Sequence, residues 1–561
     1  MRFRSSLGYS DFRQVRENEL TFVDRSNFVI EFLESTEQVL LLPRPRRFGK
    51  TLNLSMLRYF LERGDENLGH LFEGLEVFSC PNAEQYKKHF QQYPVIFVTF
   101  KSIKESNWEL CHAAIVRLIE NLFVEHQSVL DSGKLNSNEE NEFRAILERR
   151  AAPTQYRYAL GDLCKYLHKA HGKKPIVLID EYDNPIHSGW LSGYGAEIID
   201  FFRVFLTAAL KDNAHLDRAV LTGILRIARE SIFSGLNNLA VYMLVDKPFS
   251  TCFGFREGDV RRLLELAGHL EWLPTVQAWY NGYLFYDEVI YNPWSVLSFI
   301  SNYGSPEAYW LNTSSNELIQ RVLERHGGEV GKTIELLLAG ERFETSLEKN
   351  TVLDDLYQSK DALWSLLTFS GYLRGERRFQ GEGEQDMYAL SIPNREVRAI
   401  YKQTFRQWLE RRAKGHGGSV RQLTSALLSG DAELLEEQLQ ALVMNVMSFH
   451  DMPAPEPEAM LQAFILGLLC VLEPDYRVRS NRESGKGRPD VMILPSKAGN
   501  AGVVMELKVV RRGTLEQALE KGVKQIREKN YVEEAKACGA DPVYAFAVAF
   551  EGKEVRVVGV S

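Results

Sequence analysis

The feature that most constrains this fold is a glycine-lysine-threonine turn between an apolar run and a segment with helical character. The apolar run covers residues 40–42, the turn closes at residues 49–51, and the helical pattern continues through residue 60. A strand, loop and helix in this order direct backbone N–H groups and a helix N-terminus toward an anion. The sequence therefore predicts a phosphate-binding loop.

The loop differs from the usual Walker A motif at its first glycine, where this chain has Arg44. In that motif the lysine contacts the β- and γ-phosphates, and the hydroxyl of the following residue binds Mg²⁺. We interpret the loop as an ATP site, although the short motif alone is inconclusive. The predicted nucleotide contacts in the loop are Arg47, Phe48, Gly49, Lys50 and Thr51.

A second apolar run, at residues 175–179, ends in the adjacent carboxylates Asp180 and Glu181. Continuous apolar runs are typical of parallel strands buried on both faces, and ligands bind at the carboxyl ends of such strands. In phosphate-loop enzymes the first carboxylate helps to hold Mg²⁺ and the second activates the attacking water. We assign these roles to Asp180 and Glu181, since an adjacent pair is less common than a single acidic residue in a solvated turn.

Further apolar runs at residues 94–100, 219–225 and 241–245 give five strand candidates joined by helical segments. This alternation predicts an α/β fold with a doubly wound parallel sheet. Thr222 ends one strand and is placed to sense the γ-phosphate or orient water. Arg226 is a candidate phosphate contact, and a surface ion pair is an equally good interpretation of it.

The composition sets broad limits on function. A chain of 561 residues predicts two to four compact units, and its net charge of −8 does not call for nucleic acid. The six cysteines are scattered without metal-ligand spacing, which favours reduced thiols. With no signal-peptide pattern and no apolar run of bilayer length, we expect a cytoplasmic protein without membrane contact, and a homo-oligomer remains open.

Near the C-terminus, two strand candidates at residues 488–494 and 502–510 flank a turn, which predicts a hairpin. Side chains two apart on a strand share a face, so Glu506 and Lys508 lie together and Asp490 on the partner strand can join them. Two carboxylates and a lysine suit Mg²⁺-dependent hydrolysis of a phosphodiester, with Lys508 orienting the water. The alternative is a surface salt bridge across the hairpin.

Local charge favours nucleic acid as a partner of this region. Residues 476–530 hold 13 Lys and Arg against 6 Asp and Glu, a balance of +7 within an acidic chain. Positive charge beside a phosphodiesterase-like site is the electrostatic pattern expected for nucleic-acid binding. A solvated basic face is the alternative.

Taken together, residues 43–57, 179–183, 222–239 and 481–508 resemble the AAA-ATPase-like proteins that carry a C-terminal PD-(D/E)XK nuclease-like domain. That family typically has an arginine-rich phosphate loop without the first glycine, so the resemblance accounts for Arg44. It implies a P-loop NTPase domain at 1–250, a mostly helical lid and winged-helix-like region at 251–450, and a nuclease-like domain at 451–561. It also implies Glu458 as a further metal ligand.

Two hypotheses follow. The first is an ATP-binding, hydrolysing protein coupled to a Mg²⁺-dependent nuclease domain. In it the metal ligands are Thr51, Asp180, Glu458, Asp490 and Glu506, and the catalytic residues are Glu181, Asp490, Glu506 and Lys508. The second is a nucleotide-binding signalling or scaffold protein whose nuclease fold does not cleave. The missing glycine and the overall acidity motivate the second.

Overall fold

The computed structural model describes most of the chain. The described residues are 3–224, 232–233, 236–310, 330, 333–334, 336–338, 340–349, 359–378, 386–413, 420–446, 465, 469, 472, 475–480, 489–510 and 513–560, with backbone only at 405–413, 420, 445–446 and 480. The chain divides into two compact units. They are Met1–Ser314 with Glu344–Glu396, and Ser315–Phe343 with Val397–Ser561.

The first unit is built on a five-stranded sheet whose neighbouring strands are all parallel. Its strands are β1 (Val39–Pro43), β2 (Val95–Thr99), β3 (Ile176–Asp180), β4 (Arg218–Gly223) and β5 (Leu239–Val241). They lie in the order β2-β3-β4-β1-β5. This confirms the predicted parallel α/β sheet, and the fifth strand ends at Val241 instead of beginning there.

Complete burial accounts for the continuous apolar sequences of β1 and β3. Every residue of β1 and of β3 is buried, as expected for apolar runs between two helical layers. The helix α3 (Lys50–Leu61) follows β1 and begins directly after Gly49, which has no side chain that could cap the first N–H groups. The carboxyl ends of β1 and β3 therefore lie on the two sides of β4 at one edge of the sheet, and the helix that follows β1 has an open N-terminus.

The remaining helices of the first unit surround this sheet or form the region that follows it. In addition to α3 they are α1 (Phe12–Glu17), α2 (Asn27–Glu34), α4 (Glu76–Ser79), α5 (Ala83–Lys87), α6 (Trp108–Glu125), α7 (Ser137–Leu147), α8 (Pro153–His171), α9 (Asn184–Ser192), α10 (Gly195–Leu210), α11 (Glu257–Ala267), α12 (Leu273–Tyr280), α13 (Pro293–Ser301) and α14 (Lys360–Phe369). Short 3₁₀ turns cover Gly69–Leu71, Gln127–Ser132 and Leu270–Trp272.

The middle region is helical, as predicted, with small sheets added. The hairpin β6 (Tyr283–Phe285) and β7 (Glu288–Ile290) precedes α13. The strands β8 (Phe343–Ser346), β9 (Arg374–Arg378) and β10 (Met387–Ser391) form a sheet of order β8-β10-β9. The helix α15 (Arg395–Ala413) follows β10.

The second unit contains a mixed five-stranded sheet, ordered as its strands occur in the sequence. Its elements are the helices α16 (Val420–Ser429) and α17 (Ala432–Val446), the strands β11 (Tyr476–Ser480), β12 (Val491–Pro495), β13 (Gly502–Val509), β14 (Val543–Glu551) and β15 (Glu554–Gly559), and the helices α18 (Leu515–Glu528) and α19 (Tyr531–Ala537). The β12–β13 pair is antiparallel, which confirms the predicted hairpin.

Helix α17 covers the edge of this second sheet. The amide of Gln440 donates to the carbonyl of Lys553 and accepts from the N–H of Val555, at 2.6 and 2.8 Å. The carboxylate of Glu436 accepts from the N–H of Val557 at 2.8 Å. These side chains pair with edge groups that another strand would otherwise use.

Membrane insertion has no support in the described helices. None of them combines the length and the apolar character needed to cross a bilayer.

Candidate functional sites

The first candidate site lies where the carboxyl ends of β1, β3 and β4 meet the N-terminus of α3. Lys50 is buried, and its Nζ lies 3.1 Å from the carbonyl oxygen of Arg44 and 3.2 Å from that of Pro45. The same Nζ lies 3.6 Å from Oε1 of Glu181. The predicted lysine and the predicted catalytic carboxylate are therefore neighbours.

Asp180 is fully buried and both of its carboxylate oxygens accept hydrogen bonds. The hydroxyl of Thr51 donates to one oxygen and the hydroxyl of Thr222 to the other, each at 2.8 Å. Burial raises the pKa of Asp180, and the charge of Glu181 adds to this effect, while the two hydroxyls oppose it. Three residues predicted from separate motifs thus form one hydrogen-bonded group.

Glu181 follows in a left-handed backbone conformation, with φ of 53°. Such a conformation is uncommon for a residue with a side chain and is a feature of functional sites. Burial raises the pKa of Glu181, but the positive charges of Lys50 and Arg46 outweigh it and the net pKa is lowered. The carboxylate is therefore held ionised beside the phosphate loop.

Arg44 has a structural role that the motif did not reveal. Its side chain is fully buried, and its guanidinium donates to the carbonyl oxygens of Pro43, Tyr242 and Phe249 at 2.8, 2.7 and 3.0 Å. Burial lowers the pKa of Arg44 to about 10, a value at which it remains charged near neutral pH. Arg44 therefore ties the loop to the segment after β5.

The positive backbone angles of the loop occur at Arg47 and Gly49, with φ of 69° and 86°. The Arg47 guanidinium stacks on the ring of Trp294, 4.0 Å from its centroid. The Phe48 ring packs against Tyr283, with their centroids 5.0 Å apart. Phe48 thus anchors the loop through its side chain.

A pocket of about 250 Å³ opens beside the loop. Its lining includes the charged groups of the loop and of the neighbouring turn. It also includes apolar residues that the phosphate-loop motif could not identify: Leu7, Phe22, Val23, Phe255, Trp294 and Leu297. Of the aromatic residues at 279–294, Tyr280 and Tyr291 belong to the buried core, whereas Trp294 faces this pocket.

The second candidate site lies on β13 and at Asp490, the residue before β12, in the second unit. Lys508 Nζ lies 2.7 Å from Glu506 Oε1 and 3.8 Å from Asp490 Oδ2. Asp490 Oδ2 also accepts from the N–H of Leu507 at 2.8 Å. The three predicted residues of this site are therefore brought together.

The donor set of this second site suits a hard divalent cation. Glu506 is fully buried, and its Oε2 has no hydrogen-bond partner within the described part of the chain. Burial raises the pKa of Glu506, the charge of Asp490 adds to this, and Lys508 opposes it. A buried oxygen beside a second carboxylate fits Mg²⁺, which prefers carboxylate ligands and keeps several waters.

Two predicted residues cannot be placed. Arg226 and Glu458 lie outside the described residues. Within the described ranges, no three His, Cys, Asp or Glu side chains form a metal-binding group. The second site therefore has two placed carboxylates, and Glu458 stays a prediction as the third.

Comparison with known proteins matches a different family to the region of each candidate site. A family described as a predicted AAA-ATPase matches residues 6–233, and the PD-(D/E)XK nuclease superfamily matches residues 456–559. An Azotobacter chroococcum mcd 1 protein, described as an uncharacterized protein in the vnfD 5′ region, is 28% identical over 573 residues. The match covers 99% of this chain and 97% of that protein.

Proposed function

This chain joins an AAA-ATPase-like domain to a domain of the PD-(D/E)XK nuclease superfamily, and from this premise we propose that ATP binding and hydrolysis in the first control cleavage of nucleic acid by the second. The observation that carries the proposal is the presence of two clusters of predicted polar residues in one chain. Lys50, Asp180 and Glu181 form the first, and Asp490, Glu506 and Lys508 form the second.

The proposed nucleotide orientation follows from the charged and the apolar residues that line the pocket. The triphosphate contacts Lys50 and the N-terminus of α3, where uncapped N–H groups favour anions. The base lies toward Phe22 and Trp294, whose rings offer stacking surfaces. Arg47, stacked on Trp294, lines the same pocket and is available to the phosphates.

Hydrolysis requires a base beside the terminal phosphate. Glu181 is ionised and lies next to Lys50, so it is placed to accept a proton from the attacking water. Thr51 and Asp180 would hold Mg²⁺, since their oxygens are already 2.8 Å apart. A bound Mg²⁺ would neutralise charge on the phosphates. When ATP binds, Lys50 exchanges its two loop carbonyl partners for phosphate oxygens.

In the second site, Asp490 and Glu506 would hold Mg²⁺ and Lys508 would orient the attacking water. A bound Mg²⁺ would lower the pKa of that water and offset charge on the scissile phosphate. Lys508 already contacts both carboxylates, so it is fixed within the group it would serve. The +7 balance of residues 476–530 supports a polyanionic substrate.

One observation favours a second candidate function, a nucleotide-responsive scaffold that does not cleave. The short Lys508–Glu506 ion pair, at 2.7 Å, partly neutralises the site without a metal. A fold that had lost catalysis would be stabilised by such a pair. In either function we expect the protein to act in the cytoplasm.

The deciding experiment is cleavage of labelled single- and double-stranded DNA and RNA with Mg²⁺ or Mn²⁺, comparing wild type with Lys508→Ala. We expect cleavage of at least one substrate by wild type and its loss in the variant. Equal, undetectable cleavage by both proteins, with ATP binding intact, would favour the scaffold function.

A further inference from the structure

The turn after β2 is fixed beside the catalytic edge of the first sheet. The N–H of Phe100 donates to the carbonyl of Asp180 at 3.0 Å, and the N–H of Ile103 donates to the carbonyl of Phe100 at 3.1 Å. The side-chain amide of Asn184 donates to the carbonyl of Lys101 at 3.3 Å. The turn is therefore held to both β3 and α9.

Lys104 lies between two anchored neighbours of this turn. Ile103 is only 4% exposed, and the carbonyl of Glu105 accepts from the hydroxyl of Tyr194 at 2.7 Å. The Lys104 side chain itself is exposed and lines the nucleotide pocket. Its backbone is thus preorganised while its ammonium group is free to meet a ligand.

The pocket carries more positive charge than its own residues balance. Among the described residues that line it, Glu181 provides the one carboxylate. The basic lining residues are Arg25, Arg46, Arg47, Lys50, Lys101 and Lys104. Arg25 is paired with Asp259 outside the pocket, and Lys50 faces Glu181. The other four cations form no salt bridge with a carboxylate among the described lining residues.

The other cations of this set also act on Lys104. Partial desolvation lowers the pKa of Lys104, and the positive charge of Arg46 lowers it further, while Glu181 opposes both. An anion placed among these cations would relieve the repulsion. Lys104 and Glu181 line the same pocket, and this shared location indicates which part of a nucleotide that anion would be.

We propose that Lys104 binds the γ-phosphate of ATP and makes the site distinguish ATP from ADP. The inference rests on the proposed function, because it requires a nucleotide on the phosphate loop. The loop N–H groups and Lys50 hold the β- and γ-phosphates, and Lys104 is proposed as a second cation on the γ-phosphate. The γ-phosphate lies toward Glu181, since that carboxylate must reach the water attacking it, and Lys104 lines the same pocket as Glu181.

The test is titration calorimetry of the full chain with Mg²⁺ and either ADP or the β,γ-imido analogue of ATP. Lys104→Ala should weaken binding of the analogue by about tenfold, the value of one charge-assisted contact, and leave ADP affinity within about twofold. Lys104→Arg should restore the preference. Lys87→Ala, which removes a surface lysine paired with Glu84, is the matched control and should change neither affinity.

The outcomes separate this inference from the proposed function. Wild-type protein that binds neither nucleotide would contradict the proposed function itself. If wild type binds both, an unchanged analogue affinity in Lys104→Ala would overturn the assignment. An equal loss for analogue and ADP in both Lys104→Ala and Lys104→Gln would also overturn it, because the lysine would then support the pocket in general.

Discussion

The two candidate sites each contain a fully buried carboxylate, Asp180 in the first unit and Glu506 in the second. These two carboxylates differ in the hydrogen-bond partners of their oxygens. Asp180 receives hydroxyl donors on both oxygens, from Thr51 and Thr222. Glu506 pairs one oxygen with Lys508, and its other oxygen has no partner within the described residues. The first site is satisfied by its own side chains, whereas the second leaves an oxygen for a cation.

The largest effect expected from this difference is at Asp490. Asp490→Asn keeps an acceptor for the N–H of Leu507 but removes the charge that a cation requires. We expect cleavage to fall by about 10²–10³-fold, measured as the initial rate on whichever substrate wild type cuts. Glu533→Gln, which alters an exposed carboxylate of the same unit, is the control. Unchanged cleavage in Asp490→Asn would place the catalytic group elsewhere.

In the first site the corresponding catalytic change is Glu181→Gln. It removes the base but keeps the shape of the side chain, so ATP should still bind. We expect the turnover rate to fall by about 10²-fold or more, measured by phosphate release at saturating ATP. Retained turnover would show that another group activates the water.

Replacing Arg44 by the glycine of the usual motif should destabilise the first unit. Arg44→Gly leaves the part-buried carbonyl of Tyr242 and the buried carbonyl of Phe249 without this donor and opens a cavity. We expect the free energy of unfolding to fall by about 3 kcal/mol, measured by denaturant unfolding. Arg44→Lys should recover part of the loss. A stable Arg44→Gly protein would contradict the anchoring role.

The contribution of the Thr222 hydroxyl to the hydrogen bonding of Asp180 is tested by Thr222→Val, which removes this hydroxyl and keeps the shape of the side chain. Because a buried carboxylate oxygen then loses its donor, we expect a loss of about 2 kcal/mol in unfolding free energy. The matched change Glu506→Gln, measured without divalent cations, should cost less. Equal losses of unfolding free energy in Thr222→Val and Glu506→Gln would contradict the difference in hydrogen bonding between the two sites.

A third buried carboxylate, Glu396, accepts hydrogen bonds from neutral donors, the hydroxyl of Ser295 and the N–H of Trp310. Burial raises its pKa to about 7 from 4.5, although these donors oppose the shift. The folded state therefore holds the proton more tightly, and its contribution to stability is lost as pH rises toward 7. Between pH 5 and 7 we expect wild type to lose about 1–2 kcal/mol relative to Glu396→Gln, measured by unfolding at each pH. If the unfolding free energies of wild type and Glu396→Gln changed equally with pH, this prediction would be contradicted.

Local patterns predicted the parts of both sites that lie on regular elements. The apolar runs placed Asp180 and Glu181 at the end of a buried strand, and the period of two placed Glu506 beside Lys508. The role of Arg44 could not be predicted, because its partners Tyr242 and Phe249 lie about two hundred residues away in the sequence. Contacts of that kind depend on the tertiary structure.

The same limit applies to the remainder of the pocket. Trp294 lies on α13 and Lys104 on the turn after β2, and no short motif links either residue to the phosphate loop. The fifth strand was predicted two residues late, at the point where the chain turns. There the carboxylate of Asp246 accepts from the N–H of Met243 and closes the turn.

The most direct test of the account is the rate of nucleic-acid cleavage in the presence of ATP, ADP or no nucleotide. We expect the rate in wild type to depend on the nucleotide and the rate in Lys50→Ala to be the same in all three conditions, with Asp490→Asn inactive throughout. Cleavage by wild type at one rate in all three conditions would contradict control of the second domain by the first.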